Sequence, residues 1–307
     1  MNGMELSRLF WTDVAKPRFE NAFPLLTDRW AVGLVGEGSE CFGFDDEVSR
    51  DHDWGPSFCL WLCEDDYSRH GAELTALYES LPNEYMGFQR MILSQETASR
   101  VGIHSIPGFY ARYTGFPAPP DETRLWRYIP EDGLSVVTNG CVFFDGAGDF
   151  SQIRNAFLAY FPEELRKKKL ARHCALAGQA GQYNYQRCLL HSEPVAAFAA
   201  KAEFIREIQF VVFELNRTYK PYYKWEHRAM GRLPILGGEL SPLIEVLTRS
   251  EGESCVCLME EISGKVANEL RRQRLSEVPG EFLVDHAVQI QSLITDPELS
   301  ALHLMAE

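Results

Sequence analysis

A short apolar run, Arg29 to Val35, stops at Gly36-Glu37-Gly38-Ser39, and eleven residues separate Ser39 from Asp51-His52-Asp53. The run has the length and character of a buried strand. A Gly-Ser turn leaving a strand can present backbone N–H groups and a hydroxyl to phosphate oxygens. Two carboxylates one residue apart lie on the same face of a strand, because side chains alternate. Mg²⁺ prefers oxygen ligands and is held by one or two carboxylates together with substrate phosphates. A pair of such ions can steady both the attacking and the leaving oxygen of an in-line displacement. A fold that uses this pattern must therefore bring the end of one strand beside the carboxylates of the next.

Gly-Ser followed at this distance by Asp-x-Asp resembles the signature of the DNA-polymerase-β-like nucleotidyltransferases. A closer resemblance, to a bacterial nucleotidyltransferase-like family catalogued mostly as a domain of unknown function, rests on Gly38-Ser39-Glu40 and on the stretch from Gly43 to Pro56. It extends to Gly140-Cys141-Val142-Phe143-Phe144-Asp145 and to Tyr219-Lys220-Pro221-Tyr222-Tyr223-Lys224-Trp225. The resemblance implies an α+β chain: a nucleotidyltransferase-like mixed sheet with flanking helices, then a C-terminal helical bundle. It implies two Mg²⁺ ions on Asp51 and Asp53 and a nucleoside triphosphate donor, ATP by default. Gly38 and Ser39 would then meet the β- and γ-phosphates.

The formal charge of −14, from 44 acidic and 30 basic residues, argues against a nucleic-acid partner, which needs a basic face. A small-molecule acceptor suits this balance better. Eight cysteines are scattered without Cys-x-x-Cys spacing or a histidine at ligand distance. Met1 to Phe10 lacks the apolar segment of a signal peptide, and no run is long enough to span a membrane. Reduced thiols in a cytoplasmic protein is the expectation. The oligomeric state is not legible.

Apolar spacing predicts a leading helix over Glu5 to Phe19 and strands at Arg29 to Val35 and Asp51 to Cys63, the second interrupted at Gly55-Pro56. A helix over Gly71 to Leu81 and strands at Arg100 to Ile106 and Cys141 to Phe144 follow. Pro117 to Pro120 reads as a loop. Beyond Ser151 the chain turns helical, with Val195, Phe198, Ala202, Ile205, Ile208, Val212 and Leu215 as one apolar stripe. Further helices are expected at Ser241 to Leu247 and Ser254 to Leu270. This organisation gives a catalytic domain over 1–148 and a helical substrate-binding domain over 149–307. Lys167-Lys168-Lys169, with Arg166 and Arg172, reads as an exposed helix face.

Active nucleotidyltransferases carry a third carboxylate on a later strand. Here that strand, Val101-Gly102-Ile103-His104, has none. His104 is a candidate proton acceptor, its ordinary pKa lying near 6.5, or else a buried structural histidine. Glu96 and Asp145 are the alternatives. His52 reads as a packing residue, and Asp45, Asp46 and Glu47 as a solvated run, one member of which can cap a helix. Basic and aromatic residues alternate from Asn216 to Arg228. Lys220 and Lys224 are candidates for triphosphate contacts and Tyr223 or Trp225 for a base or acceptor wall. A helix-end cluster with rings packed inward is the competing reading. Two functions follow: a Mg²⁺-dependent nucleotidyltransferase, releasing pyrophosphate as it modifies a hydroxyl of a small molecule or protein, and a degenerate nucleotide-binding sensor or scaffold.

Overall fold

The computed structural model describes residues 1–50, 54–90 and 100–306. It is an α+β structure of two compact units, Met1–Ala159 and Tyr160–Glu307. The Asp51 and Asp53 pair, His52 and Glu96 lie outside the described residues.

The first unit opens with α1 (Gly3–Phe10), a π-helical turn (Trp11–Ala15) and α2 (Lys16–Ala22). There follow β1 (Ala31–Leu34), α3 (Ser39–Phe42), β2 (Cys59–Leu62) and α4 (Glu64–Glu79). A small hairpin, β3 (Glu84–Tyr85) and β4 (Phe88–Gln89), precedes β5 (Gly102–Ser105) and α5 (Ile106–Thr114). The unit closes with α6 (Thr123–Trp126), α7 (Glu131–Thr138), β6 (Cys141–Asp145) and α8 (Asp149–Leu158). Four strands make one mixed sheet in the order β5-β2-β1-β6. β1 runs antiparallel to both neighbours, whereas β2 and β5 are parallel and need the crossover that α4 begins.

Both faces of the sheet are covered at the central strands β1 and β2, which explains why these read as continuous apolar runs. All four residues of β2 are buried. Leu60 and Leu62 join Phe10, Phe19, Trp30, Phe58 and Leu74 in one aromatic-rich core. Trp61 faces the other way, stacked on Phe150 of α8 with centroids 4.0 Å apart and edge-on to Phe109 of α5 at 5.3 Å. Thus α8, which begins at Asp149, packs within the first unit.

Several elements differ from the sequence expectation. The second strand begins only at Cys59, because Gly55-Pro56 and the residues around it are irregular. Helix α5 starts directly after β5, at Ile106, the last residue of the expected strand. Pro107 is accepted in the first helical turn, where its missing N–H costs nothing, and Ser105 caps the helix by accepting from Gly108 N–H.

The second unit consists of α9 (Glu163–Ala177), a π-helical stretch (Gly178–Tyr185), α10 (Gln186–Leu190) and the long α11 (Pro194–Leu215). It continues with α12 (Tyr223–Met230), α13 (Gly237–Arg249), α14 (Glu253–Arg272), α15 (Leu283–Ser292) and α16 (Pro297–Ser300). The core stripe of α11 is rotated from the expected one at its N-terminal half. Val195 and Phe198 are 80% and 67% exposed, while Ala197, Lys201 and Phe204 are buried. Lys201 is tolerated inside because its amine donates to the carbonyls of Thr248 and Ser250 at the end of α13. The basic run of α9 is not an exposed face either: Arg166, Lys168 and Lys169 are buried, and Lys167 and Arg172 half-buried. Lys168 donates to Gln291 Oε1 and to the carbonyls of His303 and Leu304, and Arg166 pairs with Glu163 and the Glu214 carbonyl. Lys201, Lys168 and Arg166 are thus satisfied by acceptors, the condition under which such burial is tolerated.

Replacing Trp61 by Ala removes the ring that joins β2 to α5 and α8. The expected cost is about 3–5 kcal/mol, read as a lower unfolding midpoint of the first unit.

Candidate functional site

β1 ends at Leu34 beside the N-terminal ends of β2 and β6, as the Gly33–Cys59 and Leu34–Cys141 pairs show. The chain then passes through Gly36-Glu37-Gly38 and enters α3 at Ser39. Asn139, just past α7, clamps this loop from both sides. Its amide donates to the Gly36 carbonyl at 2.7 Å, and its Oδ1 accepts from Gly36 N–H at 3.1 Å. Next to it Gly140 has φ 64°, and a Cβ there would fall 2.0 Å from the Leu34 carbonyl. Only glycine lets the turn approach β1 so closely.

Arg154 of α8 secures the clamp. Its guanidinium donates to the carbonyls of Val137, Thr138 and Asn139 at 3.1, 2.7 and 2.6 Å. These are the acceptors left open where α7 ends. The loop is thus held through side chains far from it in sequence.

Glu40 is the feature that sequence reasoning passed over. It is 6% exposed, and its carboxylate lies against the Cα of Gly38, where a Cβ would stand 2.2 Å from Oε1. Gly38 is a glycine because of this side chain and not because of its φ of −66°. Burial pushes the Glu40 carboxyl above its usual value. Its own backbone N–H, the Arg100 guanidinium and the Ser39 hydroxyl counter that shift. Arg100 Nη2 stands 3.7 Å from Oε1. Ser39 and the start of α3 therefore already face an internal carboxylate. The quoted motif contained Glu40, but nothing in its local pattern marks it as buried.

The surroundings are polar at their edge and apolar beneath. The Cys59 thiol donates to the Arg100 carbonyl at 3.3 Å, and burial pushes it up to about 12, so it is a packed thiol and not a nucleophile. The Tyr113 hydroxyl is buried without a hydrogen-bond partner among the described residues, and burial, with Glu37 adding, pushes its phenol well up.

On the far side of the loop, Asp45 accepts from Gly3 N–H at 2.7 Å and from Trp54 Nε1 at 3.2 Å. It sits at the start of α1, where a carboxylate is favoured by the helix dipole. Asp46 closes the turn at Val48–Arg50 by accepting from the backbone and hydroxyl of Ser49. These two acids hold structure together.

The remaining candidates fall elsewhere. His104 pairs with Trp61, two residues beyond the Cys59–Gly102 pair and roughly 7 Å farther along the strand. Its Nε2 is buried without a partner among the described residues, and burial, with Arg112 adding, holds the ring down to about 4. It is neutral at pH 7 and a weak base. Asp145 sits opposite Ala31, at the other end of the sheet, and caps α8 by accepting from Gly148 and Ser151 N–H.

Lys220, Tyr223 and Lys224 belong to the second unit. Lys220 is held 2.8 Å from Glu226 and lies over the Phe210 ring. Lys224 covers Trp225, whereas Tyr223 is 73% exposed and meets Tyr222 at 4.4 Å. The Tyr222–Tyr223 pair is a solvent-facing aromatic surface, and Lys220 is an internal ion-pair partner.

Among the described residues no group of three or more His, Cys, Asp or Glu side chains is arranged to hold a metal ion, and no helix is long and apolar enough to cross a membrane. The eight cysteines are free thiols.

A domain of unknown function (DUF4037) matches residues 126–226, about a third of the chain. That segment includes Asn139, Gly140, Arg154 and the Tyr219–Trp225 motif, and excludes Gly38, Ser39, Asp51 and Asp53. No curated protein and no solved structure matches the chain.

The contact between Gly38 and Glu40 predicts non-additivity. Gly38→Ala should destabilise the first unit by about 1–3 kcal/mol. In a Glu40→Ala background the cost should shrink by at least ~0.5 kcal/mol. Thermal unfolding of the four proteins measures the coupling, and additive effects would mean that the carboxylate does not rest on Gly38.

Proposed function

We propose that the chain is a nucleotidyltransferase of the polymerase-β-like kind, moving a nucleoside monophosphate from a Mg²⁺-bound triphosphate to a hydroxyl of a small molecule or protein. One observation carries the reading. The Gly36–Ser39 loop leaves an internal strand of a mixed sheet and opens a helix, and the adjacent strand β2 is the one that follows the Asp51-His52-Asp53 segment. The acceptor oxygen would bond to the α-phosphorus as the bond to the β-phosphate oxygen breaks. Pyrophosphate leaves, and the acceptor's proton goes to a base.

Asp51 and Asp53 would hold the Mg²⁺ ions, which neutralise phosphate charge; carboxylate oxygens are suitable donors for this cation. Ser39 and the backbone N–H groups beside it would meet the β- and γ-phosphates, with Arg100 as a nearby cation. For them to do so, the Glu40 carboxylate must give way or be protonated, since two anions cannot share the cradle. Alignment and charge neutralisation would supply most of the rate.

The sensor reading has its own support. Of the groups considered for the acceptor's proton, Glu96 lies outside the described residues, Asp145 is engaged in capping α8, and His104 is held far below neutrality. Turnover separates the two functions. An enzyme releases pyrophosphate once an acceptor is supplied, whereas a sensor only gains stability.

Thermal unfolding with each nucleoside triphosphate, with and without Mg²⁺, tests the shared premise. A ligand at a hundred times its dissociation constant adds about 2.7 kcal/mol, a rise of several degrees. The expected rise needs Mg²⁺ and disappears in Asp51→Asn/Asp53→Asn. No rise with any triphosphate would remove both readings.

A further inference from the structure

The first unit holds a cavity of about 180 Å³ between its N-terminal helical segment and the edge strand β6. None of the residues lining it belongs to the site described above. One wall carries Arg8, Trp11, Thr12 and Lys16, and the other Phe143 and Phe144. Trp30, buried just before β1, adds a second indole.

Both walls depart from regular geometry at this point. Arg8, Thr12, Lys16 and Glu20 line the cavity at four-residue steps. In an unbroken α-helix such a row drifts by about 40° per step. The π-helical turn, closed where Lys16 N–H donates to the Trp11 carbonyl, is wider and takes back part of that drift. Pro17 gives the turn a cause, because it has no N–H for the ladder and its ring crowds the carbonyl four residues back. On the opposite wall Val32 pairs with Phe144 and Gly33 with Val142, which leaves Phe143 as a bulge. Neighbouring strand residues ordinarily point to opposite faces. The bulge breaks that alternation, and Phe143 and Phe144 both reach the cavity. π-turns and edge-strand bulges each collect at functional sites. Here one of each faces the same space.

Charge selects what that space would hold. Arg8 donates to Cys141 Sγ at 3.0 Å and lies over the Phe143 ring, 4.6 Å from its centroid. A thiol is a weak acceptor, and among the described residues no carboxylate pairs with this guanidinium. Glu20 is the one acid in the lining, and it faces Lys16 at 3.8 Å. The remaining N–H groups of Arg8 are therefore open to an outside anion, beside indole and phenyl rings. A guanidinium fork matches a carboxylate bidentately, and a cavity of about 150 Å³ suffices for a benzene ring. We propose that this cavity binds a small aromatic carboxylate, its ring against Phe143, Phe144 and Trp11 and its carboxylate on Arg8.

Such binding needs neither nucleotide nor Mg²⁺, so the test omits both. Isothermal titration of the full chain with benzoate, cinnamate and 3-phenylpropanoate, each beside its neutral amide, reads the preference. At least one acid should bind, about tenfold or more tighter than its amide. Arg8 is exposed, and Arg8→Met keeps an apolar stem over Phe143. This variant should fold and bind that acid no better than the amide. Phe144→Ala, at another exposed position, should weaken acid and amide alike. No binding by any of the acids, equal affinity for acid and amide, or wild-type binding by Arg8→Met would overturn the proposal.

Discussion

A sheet packed on both faces can offer only its strand ends to a ligand, and this constraint organises the first unit. Trp61 and Phe150 seal one face and Leu60, Phe58 and Trp30 the other, so the middles of the central strands β1 and β2 are buried and closed to a ligand. At one end of β1 stand Gly36 to Ser39, Arg100, Cys59 and Asn139. At the other stand Asp145 and the start of α8. The candidate site is therefore a matter of which side chains collect at the first of these ends, and whether they are held firmly enough to act together.

They are held by a relay of hydrogen bonds from distant parts of the chain. Arg154 fixes the carbonyls that end α7, Asn139 is carried on that end, and Asn139 fixes Gly36. Asp45 does the corresponding work at the start of α1 and at Trp54. Preorganised donors are what electrostatic catalysis requires, because a site that must reorganise loses part of its effect. Glu40 is the exception: a buried carboxylate beside the loop proposed to meet phosphate, resting against a glycine whose Cβ would meet it.

Much of this was legible in the residues, for reasons that differ from place to place. The apolar runs at Ala31 and Cys59 announced buried strands, since strands covered on both faces lack alternation. The helices from Ser241 and Ser254 showed their spacing plainly. Helix α5 was hidden because Pro107-Gly108 imitates a turn, and the burial of Lys168 and Lys201 was hidden because their acceptors are carbonyls remote in sequence. Long-range partners also explain why Asn139 and Glu40 drew no attention. A hydrogen bond across a hundred residues leaves no local periodicity, and a glutamate after a Gly-Ser turn looks like any solvated acid.

The proposed reaction needs a cation held between the acidic segment and a triphosphate, and that can be observed without knowing the acceptor. Mn²⁺ can stand in for Mg²⁺, and the paramagnetic resonance signal of the free ion reports how much remains unbound. Titrating Mn²⁺ into the protein with each nucleoside triphosphate should reveal bound ion beyond that held by the nucleotide alone, for at least one of the four. The excess should vanish in Asp51→Asn/Asp53→Asn. Equal free Mn²⁺ with wild type, the variant and no protein would contradict the central claim.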